Sequence, residues 1–222
     1  MSQFDLHERL LAQGYREQER WRIADVLGFV RRELAQPTWP LALTLAFLFA
    51  ATGLAVSVGV WEVIDGQRWL QDVMLPFGAG CIAMILLVVP HELLHGLAYK
   101  LTGAAQVRYG ADFSKLVFHA SAPYHVVSAK QLYFVALLPL AVINGLLLVA
   151  LLLLSGWWWW FVVGLLLMHT QGCLGDLAIV SFFVRRSEEG KWVTYDASAT
   201  QEFVLLLQAN ESTEDQTQTP AH

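Results

Sequence analysis

Residues 73–99 read VMLPFGAGCIAMILLVVPHELLHGLAY. The run is long enough to cross a bilayer, which takes about 20 apolar residues. Near its end it carries His91, Glu92 and His95, an HExxH pattern. Residues four apart on a helix share a face, so both imidazoles can close on one metal ion. Glu92 stands beside the first of them, where its carboxylate reaches a water on that metal and suits the role of general base. Zinc lowers the pKa of such a water to about 7. An ionisable group in hydrocarbon costs about 2.5–3.5 kcal/mol on insertion scales, so three within five positions point to a task. The bland alternative is a polar helix end at the interface, its histidines snorkelling to water.

The rest of the 222 residues agrees with a membrane setting. The chain is 56% hydrophobic and 15% charged, against about 25% charged in soluble domains. That excludes an ordinary soluble enzyme, and a net charge of −5 argues against nucleic acid as a partner. Cys81 and Cys173 both lie in apolar runs, so no disulfide scaffold is expected. Three further spans are expected, at about 41–60, 132–154 and 157–184, the last two joined by Ser155-Gly156. No signal peptide is visible. Lys and Arg divide 13 to 1 between the two sides, which puts both termini in the cytoplasm and Trp157–Trp160 in an aromatic belt at the outer face. The fold class expected is an all-α polytopic membrane protein: four transmembrane helices with a small β-like cytoplasmic connector between the second and third.

Three regions follow: a cytoplasmic N-terminal amphipathic segment (1–38), the four-helix membrane domain (39–186) and a cytoplasmic tail (187–222), disordered from Asn210 onward. The N-terminal segment reads equally as helix on the membrane surface or as a soluble helical cap. In the tail, Trp192–Tyr195 and Phe203–Leu207 suit short strands or a helix. In the connector, Val107–Tyr109, Leu116–His119 and Tyr124–Val127 have strand-like composition. Such an edge can hold a peptide extended, as a protease needs; a plain folded connector is the alternative. His119 and His125 in this loop are weaker ligand candidates.

A catalytic zinc site needs a third protein ligand. Within the four spans the acidic candidate is Asp176. It lies 19 positions after Trp157, as His91 lies 18 after Val73, so the two share a depth in the layer. Pro90 withholds a donor from Leu86 and is expected to kink the second helix. Gly172 and Gly175 allow a neighbouring helix close to Asp176. His169 is two turns from Asp176, roughly 10 Å along a straight helix. It is the second choice of ligand, or else it binds substrate or bonds within the bundle. Asn144, in the third span, bonds a neighbouring helix or orients a substrate carbonyl.

HELLHG in a membrane helix, followed two spans later by GDL, resembles a small family of zincin membrane peptidases, related in motif to the site-2-protease class of intramembrane zinc metalloproteases. The resemblance implies that His91, His95 and Asp176 bind zinc and that Glu92 is the base. The order here is Gly-Asp where the site-2 class has Asp-Gly. The function expected is a zinc-dependent intramembrane endopeptidase. Its partners would be the lipid bilayer and a membrane protein or membrane-anchored peptide, cut near the cytoplasmic side. The alternative is a non-catalytic metal-binding pseudoprotease or adaptor, which does not need Glu92. A metal transporter fits less well, because the outer half of the second span carries no charge.

Overall fold

The computed structural model describes residues 3–22, 25–66, 68–113, 117–197 and 202–209. The disorder expected from Asn210 onward lies outside the described residues. Among these, three helical stretches are long and apolar enough to cross a membrane: Trp39–Ile64 (α3), Leu70–Leu101 and Ala129–Leu153 (α6). The middle one is divided into α4 (Leu70–Ala83), a 3₁₀ turn (Met84–Leu87) and α5 (Val88–Leu101). The turn ends three residues before Pro90, in the stretch that Pro90 leaves short of a helical N–H.

The expected fourth span is not one straight helix. It is a pair, α7 (Trp157–Gly172) and α8 (Leu174–Arg185), bent by 42° at Cys173. At Gly172, a Cβ would meet Met84 Cε at 2.5 Å, so the bend is seated on the 3₁₀ turn of the neighbouring helix. α3 also runs past the expected 41–60 stretch. Glu62 therefore falls in its last turn, where it takes the indole N–H of buried Trp160 (3.0 Å) and the Arg68 guanidinium (3.1 Å). Trp160 thus faces inward, while Trp157 and Trp158 stay exposed.

α4 packs on α7 through glycine. A Cβ on Gly80 would lie 2.9 Å from the Phe161 carbonyl carbon, and one on Gly164 would lie 3.1 Å from the Cys81 nitrogen. Backbone meets backbone there, a contact that only glycine permits. α6 starts on a capping box: the Gln131 N–H donates to Ser128 Oγ and the Ser128 N–H to Gln131 Oε1 (2.9 Å).

A four-stranded antiparallel sheet caps one end of the bundle. Its order is β1 (Arg16–Arg22), β6 (Glu202–Ala209), β5 (Gly190–Ala197), β4 (Val127–Ser128). The boundaries expected at 38 and 187 separate strands that in fact form one sheet. Phe203–Leu207 of β6 is a continuous apolar run, and both faces of β5 and β6 are covered. Leu6 and Leu10 of α1 (Gln3–Ala12) pack on Val193, Tyr195, Val204 and Leu206. Phe29 of α2 (Val26–Leu34), with Phe182 and Phe183 of α8, packs against Trp192 and Leu205 on the other face. α1 is thus a helical cap on the sheet. The N-terminal segment also holds a strand, β1, whose charged residues give no amphipathic period and whose pairing with β6 supplies the order. Glu33, fully buried, ties α2 to α8 through Arg185 and also meets Arg32 (3.0 Å). The connector forms a separate hairpin, β2 (Arg108–Asp112) with β3 (Val117–Ser121). Leu116, placed in a strand by its composition, lies outside the described residues.

Candidate metal centre

The first turns of α5 and α8 meet at the level of the 3₁₀ turn. His91 and His95, one helical turn apart, bring their Nε2 atoms to 3.0 Å, with the rings at 80°. Asp176 completes the triangle: its Oδ2 is 3.2 Å from His91 Nε2 and its Oδ1 3.2 Å from His95 Nε2. The three residues singled out by spacing and depth are therefore together, on two helices distant in sequence.

The tautomers decide what this triangle can hold. His95 Nδ1 lies 2.9 Å from the Val135 carbonyl oxygen. A carbonyl only accepts, so Nδ1 carries the proton and the Nε2 lone pair of the neutral ring faces the triangle. A lone pair facing a second imidazole and a carboxylate suits a cation held between them. Four-coordinate zinc, with bonds of about 2.0–2.1 Å, has ligand–ligand edges near 3.3 Å, and the edges here are 3.0–3.2 Å. The donor set, two imidazoles and a carboxylate, is that of a catalytic zinc centre with one position open. The residues fit the metal.

Glu92 is half-buried, and its ligand atom lies within 4.8 Å of those of both histidines. One carboxylate oxygen is buried with no hydrogen-bond partner. The group is approached by the backbone N–H of Ala120 on β3. A carboxylate with an unused lone pair at this distance is placed to accept a proton from a small molecule at the centre.

His169 and Asn144 are the two residues held in reserve by the sequence. His169 Nε2 is 3.2 Å from His91 Nδ1, on the side of that ring away from Asp176, so one imidazole spans the distance that a straight helix imposes. Asn144 uses both amide ends within the bundle: Oδ1 is 2.7 Å from His169 Nδ1, and Nδ2 donates to Thr170 Oγ1 at 2.8 Å. Cys173, not foreseen near the site, lies with Sγ 3.9 Å from His91 Nδ1; its signal was the two flanking glycines. His125 bonds Thr102 Oγ1 (3.1 Å). His119 reaches the wall of the cavity described next, with Nδ1 buried and unpartnered. Burial lowers its pKa, and burial raises that of nearby Asp196.

The triangle opens into a cavity of about 630 Å³, walled by Trp21, Phe29, Phe203 and Leu205 on the sheet side and by Val88, Ala136 and Ile179 among the helices. Leu27, Ile82 and Ile85, all largely exposed, rim it. Gly96, the glycine of HELLHG, seats the Tyr109 ring, with Cε1 3.1 Å from where its Cβ would be. This contact holds the β2–β3 hairpin against α5.

A HExxH helix with a carboxylate from a second helix is the donor arrangement expected of a zincin-type metal centre. The comparison with known families agrees: the family described as Putative zincin peptidase matches residues 84–190. That span runs from the 3₁₀ turn to the first residue of β5 and contains every residue of the triangle. The family implies zinc and points to a zinc-dependent peptidase. No curated protein and no solved structure matches the chain.

Proposed function

We propose that the chain is a zinc-dependent intramembrane endopeptidase, and that His91, His95 and Asp176 hold the metal. The convergence of two imidazole nitrogens and a carboxylate within 3.0–3.2 Å of one another carries this proposal. The chain would cross the membrane four times, with the bent α7–α8 pair as the last crossing and both termini cytoplasmic. The metal supplies Lewis acidity toward a peptide carbonyl and lowers the pKa of water. Glu92 takes a proton from the attacking water and delivers it to the leaving amine nitrogen as the C–N bond breaks.

The hairpin holds the substrate extended. Ala120 faces Tyr109 across it, and the Ala120 N–H turns to Glu92 instead of crossing to β2. That makes the pair non-hydrogen-bonded, and by alternation Phe118, opposite Ala111, is the same. The backbone groups of Phe118 therefore face the free edge, where an unwound peptide adds as a strand. Leu27, Ile82 and Ile85 give the cavity an apolar rim, which suits entry from lipid by a membrane protein or a membrane-anchored peptide.

The test is bound zinc and cleavage of membrane substrates in proteoliposomes, for wild type, Glu92→Gln and Asp176→Ala. Glu92→Gln should keep zinc and lose at least about 10²-fold in cleavage rate. Asp176→Ala should lose both. Undiminished biological activity in Glu92→Gln would favour the metal-binding adaptor instead.

A further inference from the structure

We infer that His169, Asn144 and Thr170 form a buried relay that sets the tautomer of His91 and aims its Nε2 lone pair at the metal. The inference rests on the ligand set proposed above and adds three positioning residues to it.

The relay begins at a fixed point. Thr170 Oγ1 donates its single proton to the Leu166 carbonyl oxygen, 2.8 Å away. Toward Asn144 it can then only accept, so it is the Nδ2 amide that faces it, at 2.8 Å. This orients the amide with Oδ1 toward His169 Nδ1, at 2.7 Å. Oδ1 only accepts, so His169 Nδ1 carries the proton and the Nε2 of the neutral ring bears a lone pair. That lone pair meets His91 Nδ1 at 3.2 Å, so His91 Nδ1 is the donor. Neutral His91 is left with its lone pair on Nε2, facing Asp176 and His95. Each step follows from the donor and acceptor inventory, and every member finds its partner. His169 and Thr170 are 1% exposed and Asn144 is 9% exposed, so water does not compete for these bonds.

The relay does for His91 what the Val135 carbonyl does for His95. The two ligands are treated differently: His95 is held by a backbone group one helix away, whereas His91 is held by a side-chain chain that links α6 to α7. Outer partners of this kind change metal affinity by about 10–100-fold when removed. The same cluster admits one rival. His91 Nδ1, His169 Nε2 and Cys173 Sγ lie close enough to hold a second metal ion, which would strip the proton from His91 Nδ1 and end the relay.

Zinc affinity of the full-length purified protein, measured by competition with a chromogenic chelator, separates these cases. Visible absorption of the cobalt-substituted form reports the ligand geometry independently of cleavage. His169→Phe and Asn144→Leu should each weaken zinc about 10–100-fold and change the cobalt spectrum. His169→Gln, whose amide oxygen replaces the Nε2 acceptor, should return to within a few-fold of wild type. Cys173→Ala should leave affinity and stoichiometry unchanged. Should His169→Phe fail to fold, Asn144→Leu and His169→Gln carry the test. Wild-type zinc affinity and cobalt spectrum in Asn144→Leu overturn the relay, as does binding of two ions with one lost in Cys173→Ala. Wild-type protein that binds no zinc, or keeps it in His91→Ala, overturns the proposed ligand set and the relay together.

Discussion

Replacing Gly80 with alanine adds one methyl group at the point where α4 crosses α7. The new Cβ would sit 2.9 Å from the Phe161 carbonyl carbon and 3.1 Å from the Leu165 nitrogen, where ordinary contact begins at 3.4 Å. These neighbours are backbone, so no rotamer change relieves them. The Phe161 carbonyl oxygen lies closer still, so the helices must part by more than about an ångström, and overpacking of this kind costs at least about 1–3 kcal/mol. The separation reaches the proposed metal site, because α4 leads through the 3₁₀ turn to His91 and α7 carries His169. Their 3.2 Å contact lengthens, and zinc affinity should fall about tenfold, the lower end of the loss expected for an outer partner. Gly78→Ala is the control: it lies on the same helix, two residues away, with no atom within 4 Å of its added Cβ. It should stay within about 0.5 kcal/mol of wild type. The assay pairs reversible unfolding in detergent with zinc competition. Equal stability and equal zinc affinity in the two variants would refute the reasoning.

Arg185→Met strands the fully buried Glu33 carboxylate with Arg32 as its remaining partner. The loss should approach the roughly 3–5 kcal/mol of a broken buried pair, and Glu33→Gln combined with Arg185→Met should recover most of it. Equal unfolding midpoints for Arg185→Met and wild type contradict this. Burial lowers the His119 pKa from 6.5. Below pH 6.5 the unfolded chain therefore takes up a proton that the folded hairpin refuses, and stability falls with pH until the lowered folded pKa is passed. His119→Phe should flatten that slope in the pH dependence of the unfolding midpoint; an unchanged slope removes His119 as its source. Chelation should lower the unfolding temperature, and zinc at about 100 times its dissociation constant should return about 2.7 kcal/mol. Identical melts with and without chelator exclude a folded-state metal site.

The metal triangle was legible because each of its parts leaves a local mark. HExxH needs only helix periodicity, and Asp176 needs only the shared depth of two apolar runs. The hairpin was legible in β-branched and aromatic composition between turn residues, whereas the tail segments, open to strand or helix by composition, are settled as strands by their pairing with each other. The bend at Cys173 was not, since an apolar helix with two glycines reads the same straight or broken. At the bend Gly172 lies against Met84 of another helix, a contact no local pattern reveals. The role of Asn144 was equally hidden, because a lone amide in a span has no partner until α6 and α7 are brought together. β1 was unreadable for a third reason. Arg-Glu-Gln-Glu-Arg carries no apolar alternation, and its extended form comes from β6, with Arg22 and Glu202 180 positions apart.

That last pairing has a consequence for how the fold comes into being. Contacts between remote parts of a chain form late, after the loops between them have closed. Trp21 and Phe203 stack at 4.9 Å and both wall the cavity, so the compartment beside the histidine pair is finished only when β1 has paired with β6. Through most of its synthesis the polypeptide carries a histidine pair and a glutamate without the aromatic wall that β1 and β6 set beside them.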